Sequence, residues 1–139
     1  MAAIIQEESK QIEEQPRIAG VYINRLKNNL LLQADPTLKF AAYQSKAFEN
    51  TNIKRVLNKH KKIKSPYNTY TNKGLPPGLI AMPDLSAIDA VLNCEKHSYF
   101  YFAADPDKPG FHCFAKTLSG HNKNARRYHN YLNRQGIRR

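Results

Sequence analysis

Near the start of the chain lies the stretch Ala2-Ala-Ile-Ile-Gln-Glu-Glu-Ser-Lys-Gln-Ile-Glu-Glu14. It predicts the first helix and contains the first candidate catalytic residue. Ile4, Ile5 and Ile12 recur at helical spacing, which predicts a helix over residues 2–14. On a helical wheel their mean direction lies about 20° from Glu8, whereas the other glutamates of the segment face away. A carboxyl within an apolar stripe is expected to be desolvated, which raises its pKa and suits a general acid at neutral pH.

The rest of the chain predicts helices and one hairpin. Pro16 suits the first turn of a second helix that ends at Asn28-Asn29, and Pro36 is expected to hold Asp35 in an extended or turn conformation. A weaker helix is predicted over 53–61, a long ordered loop over 65–83 and a helix over 86–93, with Asp84 or Ser86 as its cap.

Two apolar, aromatic segments near the C-terminus are typical of strands. They cover residues 99–104 and 111–115, and the turn formers at 105–110 between them indicate a hairpin. A polar and basic helix is predicted over 118–132. Helices packed with a small antiparallel sheet, the hairpin near 99–115, predict a single-domain α+β fold.

Charge is the strongest signal in the composition. Among the 139 residues, Lys and Arg number 22 and Asp and Glu number 11, which gives a net charge of +11. Two basic runs stand out: Lys54, Arg55, Lys59, Lys61, Lys62 and Lys64 form the first, and Lys123, Arg126, Arg127, Arg134, Arg138 and Arg139 form the second. Such runs favour polyanions such as nucleic acid, anionic lipid or a carboxylate-bearing wall polymer, although they also suit a solvated surface.

The sequence contains neither a targeting signal nor a cysteine pattern that identifies the cellular compartment of the protein. No stretch approaches the ~20 apolar residues of a membrane span, and the first residues lack the pattern of a signal peptide. We therefore expect a soluble fragment of a longer protein. Cys94 and Cys113 either pair with each other or remain buried free thiols.

Each candidate residue also has an ordinary structural interpretation. Glu8 could pair with a buried Arg25 or lie exposed, and Asp35, the second candidate carboxylate, could simply form a turn or cap a helix. His112 and His121 match no zinc spacing, so no metal site is predicted. The aromatic and amide residues at 67–70 suit a carbohydrate cleft; nucleic-acid binders also combine aromatics with basic runs, but here the aromatics lie apart from the lysines.

Six motifs, spaced along nearly the whole chain, resemble the endolytic murein transglycosylases, also called MltG or YceG-like proteins. In order they are Met-Ala-Ala-Ile-Ile-Gln-Glu-Glu-Ser at 1–9, Ile23-Asn24-Arg25-Leu26, Leu32-Gln33-Ala34-Asp35-Pro36-Thr37, Tyr67-Asn68-Thr69-Tyr70, Gly74-Leu75-Pro76-Pro77-Gly78 and His121-Asn122. The two predicted strands also fall where that family has them.

The resemblance implies a lytic transglycosylase that cleaves peptidoglycan and leaves 1,6-anhydromuramoyl ends without a cofactor. Glu8 falls on the family's essential glutamate, and we expect it to face a groove walled by 33–37 and 67–77. Expected substrate contacts are Asn24, Arg25, Gln33, Asp35, Thr37, Tyr67, Asn68, Thr69, Tyr70, Pro76, His112 and Asn122. A two-carboxylate hydrolase using Glu8 and Asp35 and a non-catalytic wall- or nucleic-acid-binding module remain the alternatives.

Partners and location follow from the same resemblance. The implied substrate is the peptidoglycan glycan strand, with peptidoglycan synthases as candidate further partners and no nucleic acid. The full-length protein is expected in the plasma membrane, with this domain on the periplasmic or extracytoplasmic side. The family's upstream membrane anchor and its LysM-like domain do not occur within residues 1–139, which we therefore interpret as the catalytic domain alone.

Overall fold

Helices form most of the molecule, and a single hairpin packs beside them. A computed structural model of the chain describes residues 1–46, 53 and 56–136. Within these residues the elements are α1 (Ala2–Glu8), α2 (Gln15–Lys27), α3 (Asp35–Tyr43), a 3-10 helix (His60–Lys62), α4 (Leu85–Leu92), β1 (Tyr101–Ala104), β2 (His112–Ala115) and α5 (Leu118–Arg134). The predicted α+β class is confirmed.

The core lies where α1, α2 and the start of α3 meet. Its buried side chains are Ile4, Ile5, Ile18, Ala19, Tyr22, Leu32 and Ala34. The hairpin joins this core through Phe102 and Phe114, and Phe102 packs edge-on against Tyr22 at 5.8 Å between ring centroids. Burying an Ile or Leu side chain stabilises a fold by roughly 1.5–3 kcal/mol, so the isoleucines of this cluster hold α1 in place.

The hairpin and α5 form the second layer. β1 and β2 pair antiparallel, with Tyr101 opposite Ala115 and Ala104 opposite His112. α5 contacts both strands. Its first turn is capped by Thr117, whose hydroxyl accepts a hydrogen bond from the backbone N–H of Gly120 at 3.1 Å. The predicted hairpin and closing helix are confirmed.

The first helix is shorter than predicted. α1 ends at Glu8, because Ser9 is extended (φ −140°, ψ 133°) and its hydroxyl accepts the backbone N–H of Gln11, which competes with helical hydrogen bonding. The prediction of one helix over 2–14 is therefore wrong beyond Glu8. Ile12 is 63% exposed and lies outside the apolar stripe, whereas Glu14, expected to face away, is buried.

The segment around Pro36 also differs from the prediction. Asp35 is not extended: it begins α3, and the extended residue is Ala34 just before it. Pro36 fits here because the first turn of a helix needs no N–H donor from it. The buried face of α3 consists of Leu38, Ala41 and Ala42. This helix was not predicted from the sequence.

The helix predicted over 53–61 is not found in the described part of that stretch, where the structure has only the 3-10 helix His60–Lys62. Lys54 and Arg55 of the first basic run and Arg138 and Arg139 of the second lie outside the described residues.

The other boundaries agree with the sequence. α2 begins with Pro16 in its first turn and ends at Asn28-Asn29, where Asn29 adopts a left-handed φ of 54°. Asp84 precedes α4 at the N-cap position, although its side chain makes no capping hydrogen bond. Cys94 and Cys113 are free thiols.

Candidate active site

Glu8 stands at the end of α1 and meets the side chain of Tyr22 from α2. The Tyr22 hydroxyl donates a hydrogen bond of 2.5 Å to Glu8 Oε1. Burial raises the pKa of Glu8 from 4.5 to about 7, while this hydrogen bond opposes the rise and the nearby Asp35 carboxylate adds to it. Glu8 therefore holds a proton up to near-neutral pH, and its partner is a tyrosine rather than Arg25.

A second carboxylate and tyrosine lie beside the first pair. The Tyr70 hydroxyl donates a hydrogen bond of 2.5 Å to Asp35 Oδ1. Burial and the Asp35 charge raise the pKa of the Tyr70 phenol, so it stays protonated as the donor of this bond. Glu8 and Asp35 thus each accept one short hydrogen bond from a phenol that cannot itself ionise near neutral pH.

Both pairs line one open pocket of about 420 Å³. The pocket is walled by the C-terminal end of α1, by α2, by the N-terminal end of α3, by strand β1 and by the start of α5. Its lining residues are Glu8, Tyr22, Arg25, Leu32, Gln33, Asp35, Tyr70, Phe100, Tyr101, Phe102, Ala103, Leu118, His121 and Asn122. Of the residues predicted to form a groove with Glu8, Gln33, Asp35 and Tyr70 line this pocket, and its role as the substrate groove stays a prediction.

Several predicted contact residues are buried and support the pocket from behind. Thr69 accepts the backbone N–H of Ala34 at 2.9 Å, and its hydroxyl lies 2.8 Å from that of Thr37, which donates to the Ala34 carbonyl. These bonds fix the start of α3 and therefore the position of Asp35. Thr37 and Thr69 are at most 1% exposed, so the contacts observed for them are internal.

Asn68 has a similar role for Tyr70. Its side-chain amide donates to the carbonyls of Lys61 and Ile63, and its Oδ1 accepts the backbone N–H of Tyr70 at 3.0 Å. Lys61 in turn places its ammonium 4.9 Å from the centroid of the Tyr70 ring. Direct contact of Asn68 with substrate stays a prediction, and the observed bonds position Tyr70.

Four other predicted residues lie outside this pocket. The Asn24 amide donates to the carbonyls of His97 and Tyr99, which ties α2 to the segment leading into β1. Tyr67 packs on Phe40. Pro76 lines a separate small pocket beside Ile4, and His112 pairs with the buried Glu14.

Three pocket residues with polar side chains were not among the predicted contacts: Tyr22, Tyr101 and His121. A partial signal existed for two of them, since Tyr22 carries a polar tip within the apolar stripe of α2 and His121 belongs to the His-Asn motif. Tyr101 belongs to an ordinary aromatic strand, and no local pattern marks it as a pocket residue.

Known proteins resemble this chain in sequence and in fold. The model of the YceG-like family matches residues 1–127. A Bacillus subtilis (strain 168) protein named endolytic murein transglycosylase is 43% identical over 128 residues, which are 92% of this chain and 33% of that protein. A protein of the same name from Streptococcus pneumoniae (serotype 2, strain D39) is 33% identical over 125 residues, or 90% of this chain and 22% of that protein.

A solved structure agrees with these relatives. The crystal structure of a YceG-like protein from Listeria monocytogenes superposes with a TM-score of 0.76 at 40% identity, over 88% of this chain and 38% of the other. The chain spans only about a third of the length of the Bacillus relative. Within the residues described, we find no helix that combines the length and apolar character needed to cross a membrane. The family match over residues 1–127, together with these similarities, establishes that the chain belongs to the YceG-like family.

Proposed function

We propose that residues 1–139 are the catalytic domain of an endolytic murein transglycosylase. The proposed reaction cleaves the glycosidic bond between N-acetylmuramic acid and N-acetylglucosamine in peptidoglycan strands and leaves 1,6-anhydromuramoyl ends. The observation that carries the proposal is the raised pKa of Glu8, at about 7, in a pocket of a size that suits a sugar. The relatives named endolytic murein transglycosylases support the same substrate class.

One carboxyl is enough for this reaction. Protonated Glu8 donates its proton to the glycosidic oxygen while the bond from that oxygen to the muramoyl C1 breaks. The 6-hydroxyl oxygen of the same muramoyl residue then bonds to C1, and the Glu8 carboxylate takes the hydroxyl proton. Glu8 is regenerated in its protonated form, and no water is consumed. The Tyr22 hydroxyl holds the carboxyl in one orientation through both steps.

The proposal is tested by digesting purified sacculi and identifying the new sugar ends by mass spectrometry. We expect 1,6-anhydromuramoyl ends from the wild-type chain, and a rate lowered by at least ~10²-fold in Glu8→Gln, since glutamine cannot exchange a proton. Glu7→Gln is the matched control, because Glu7 precedes Glu8 but pairs with Lys10 in solvent, and it should keep wild-type activity. Intact sacculi with the wild-type chain, or undiminished rates in Glu8→Gln, would contradict the proposal.

A muramidase-type hydrolase is the second candidate, because Glu8 and Asp35 line the same pocket. Such an enzyme uses one carboxyl as acid and the other to activate water or to attack the sugar. It would leave reducing muramic acid ends, and Asp35→Asn would then be as damaging as Glu8→Gln. For the transglycosylase we expect Asp35→Asn to be the milder change, since Asp35 only helps to position groups.

The setting of the whole protein is also a proposal. Following the family resemblance, we place the full-length protein in the plasma membrane with this domain on the extracytoplasmic side, where glycan strands are its substrate and peptidoglycan synthases are candidate partners.

A further inference from the structure

Arg25 brings a buried positive charge to the pocket. The residue is only 8% exposed, and its Nε and Nη1 donate to the carbonyls of Phe100 and Leu31 at 2.6 and 2.7 Å. Among the described residues no carboxylate pairs with this guanidinium, and its Nη2 makes no hydrogen bond. A buried guanidinium is usually paired, so this nitrogen is a donor available to a ligand in the pocket.

Two stacked rings extend the same wall. The Arg25 guanidinium lies 4.9 Å from the centroid of the Tyr101 ring, and the His121 ring stacks on Tyr101 at 5.3 Å with 25° between the planes. His121 Nδ1 is buried and has no hydrogen-bond partner in the described part of the chain. A buried nitrogen without a hydrogen-bond partner is unfavourable, and a bound acceptor would remove that penalty.

The His121 side chain acts as an uncharged hydrogen-bond donor. Burial lowers its pKa, and the positive charge of Arg25 lowers it further. The imidazole is therefore neutral near pH 7 and can donate from Nδ1 in the tautomer that carries its proton there. The wall thus carries two donors, Arg25 Nη2 and His121 Nδ1, on side chains that both contact the Tyr101 ring.

We propose that Arg25, Tyr101 and His121 form a subsite for the lactyl ether that distinguishes the muramoyl residue from the glucosaminyl residue. This inference rests on the function proposed above. The two sugars share their ring and acetamido group, and only the muramoyl residue carries a lactyl carbonyl or carboxylate, an acceptor for both donors. A glucosaminyl residue in the same place offers the two donors only its shorter, uncharged 3-hydroxyl. The subsite thereby selects which of the two alternating sugars lies next to Glu8.

The test compares two tetrasaccharides by calorimetry on the Glu8→Gln chain, which cannot turn them over. One alternates glucosaminyl and muramoyl residues with free lactyl groups, and the other is chitotetraose. We expect the muramoyl sugar to bind roughly 10- to 100-fold more tightly, as hydrogen bonds to a charged group predict. The preference should persist at high salt, where the attraction due to the net charge of +11 is screened.

Variants made in the Glu8→Gln chain test which residues cause the preference for the muramoyl sugar. His121→Phe keeps the stack on Tyr101 but removes Nδ1, and Arg25→Lys keeps the charge but loses the forked donors, so each should reduce the preference several-fold. His129→Phe, at an exposed position on α5, is the matched control and should leave it unchanged. If Arg25→Lys fails to fold, His121→Phe alone decides.

Equal affinity for the two sugars, or a preference that survives His121→Phe, overturns the subsite and leaves the proposed function standing. Binding of neither sugar overturns both.

Discussion

Glu8 combines two opposing influences on one carboxyl. Burial disfavours its charge, whereas the Tyr22 hydroxyl stabilises the carboxylate through a 2.5 Å hydrogen bond. Burial is the larger influence, and the pKa is about 7 instead of 4.5. The balance suits a group that must give up a proton and then take one back, because neither form is strongly favoured at neutral pH.

The Tyr22→Phe variant lacks the hydroxyl that stabilises the Glu8 carboxylate. Without the hydroxyl, the Glu8 carboxylate loses a donor, so the pKa of Glu8 rises above about 7. A general acid works while protonated, so the alkaline decline of the pH–rate profile should move to higher pH. Turnover at the optimum should fall by roughly 10- to 100-fold, because the carboxyl loses its fixed orientation. Tyr128→Phe, on α5 outside the pocket, should change neither quantity; an unshifted profile in Tyr22→Phe would contradict this account.

Glu8 also makes folding stability depend on pH. Between pH 4.5 and about 7 the folded chain holds the Glu8 proton that the unfolded chain has lost, so the free energy of unfolding falls as pH rises through this window. Glu8→Gln removes that dependence. Denaturant titrations should find the variant and wild type similar in stability below pH 4.5, and the variant more stable by up to about 3 kcal/mol above pH 7. A stability difference that is constant with pH would rule out the raised pKa.

At the scale of elements, α2 is pressed closely against the segment that enters β1. A Cβ added at Gly20 would lie 2.4 Å from the Glu95 carbonyl oxygen and 2.5 Å from His97 Nε2. The same contact is held by hydrogen bonds from the Glu95 N–H to the Pro16 carbonyl and from the Asn24 amide to the His97 carbonyl. Glycine is required here by close approach, since its backbone is helical.

Gly20→Ala should therefore destabilise the protein. Alanine favours a helix by about 1 kcal/mol over glycine, but the clash with a backbone oxygen forces α2 and the 95–97 segment apart, at a cost of roughly 1–3 kcal/mol or more. We expect a net loss in thermal unfolding. Gly120→Ala is the control in α5, where the added Cβ would meet only side-chain atoms at 3.3 Å, and its stability should change by less than about 1 kcal/mol. Equal effects at both glycines would contradict the close packing described for α2.

At the scale of the whole molecule, one buried carboxylate joins the two layers. Glu14, between α1 and α2, accepts hydrogen bonds from the backbone N–H and the ring Nδ1 of His112, both at 2.7 Å, and from the Ser9 hydroxyl at 3.3 Å. The Glu14 and His112 side chains are 6% and 15% exposed. This contact fixes the hairpin, which carries one wall of the pocket, against the helices that carry Glu8.

Glu14→Ala should loosen that connection. It leaves a buried N–H and imidazole without their acceptor, at a cost of roughly 2–3 kcal/mol. Glu13→Ala is the matched control, because Glu13 is exposed and its loss should change stability by less than about 0.5 kcal/mol. Chemical denaturation of both variants measures the difference. Similar stabilities would mean that the two layers are held together by apolar packing alone.

Much of this protein was determined by local sequence. α2, the hairpin and α5 follow from periodicity and turn residues, and Glu8 lies on the face shared by Ile4 and Ile5 within a single turn of helix. The prediction for Glu8 holds although α1 is shorter than predicted, because it depends only on residues 4–8. Ser9, Asp35 and Pro36 were misread because a hydroxyl that accepts a backbone N–H, or a proline in a first turn, is compatible with more than one local conformation.

The partners of the functional side chains were decided only by the tertiary structure. Tyr22 meets Glu8 across 14 residues, Tyr70 meets Asp35 across 35, and His112 meets Glu14 across 98. No periodicity relates such positions, because a hydrogen bond depends on where packing brings two elements. The raised pKa of Glu8 has the same origin: a helical stripe predicts burial, but the neighbours that set its extent come from α2, α3 and the hairpin.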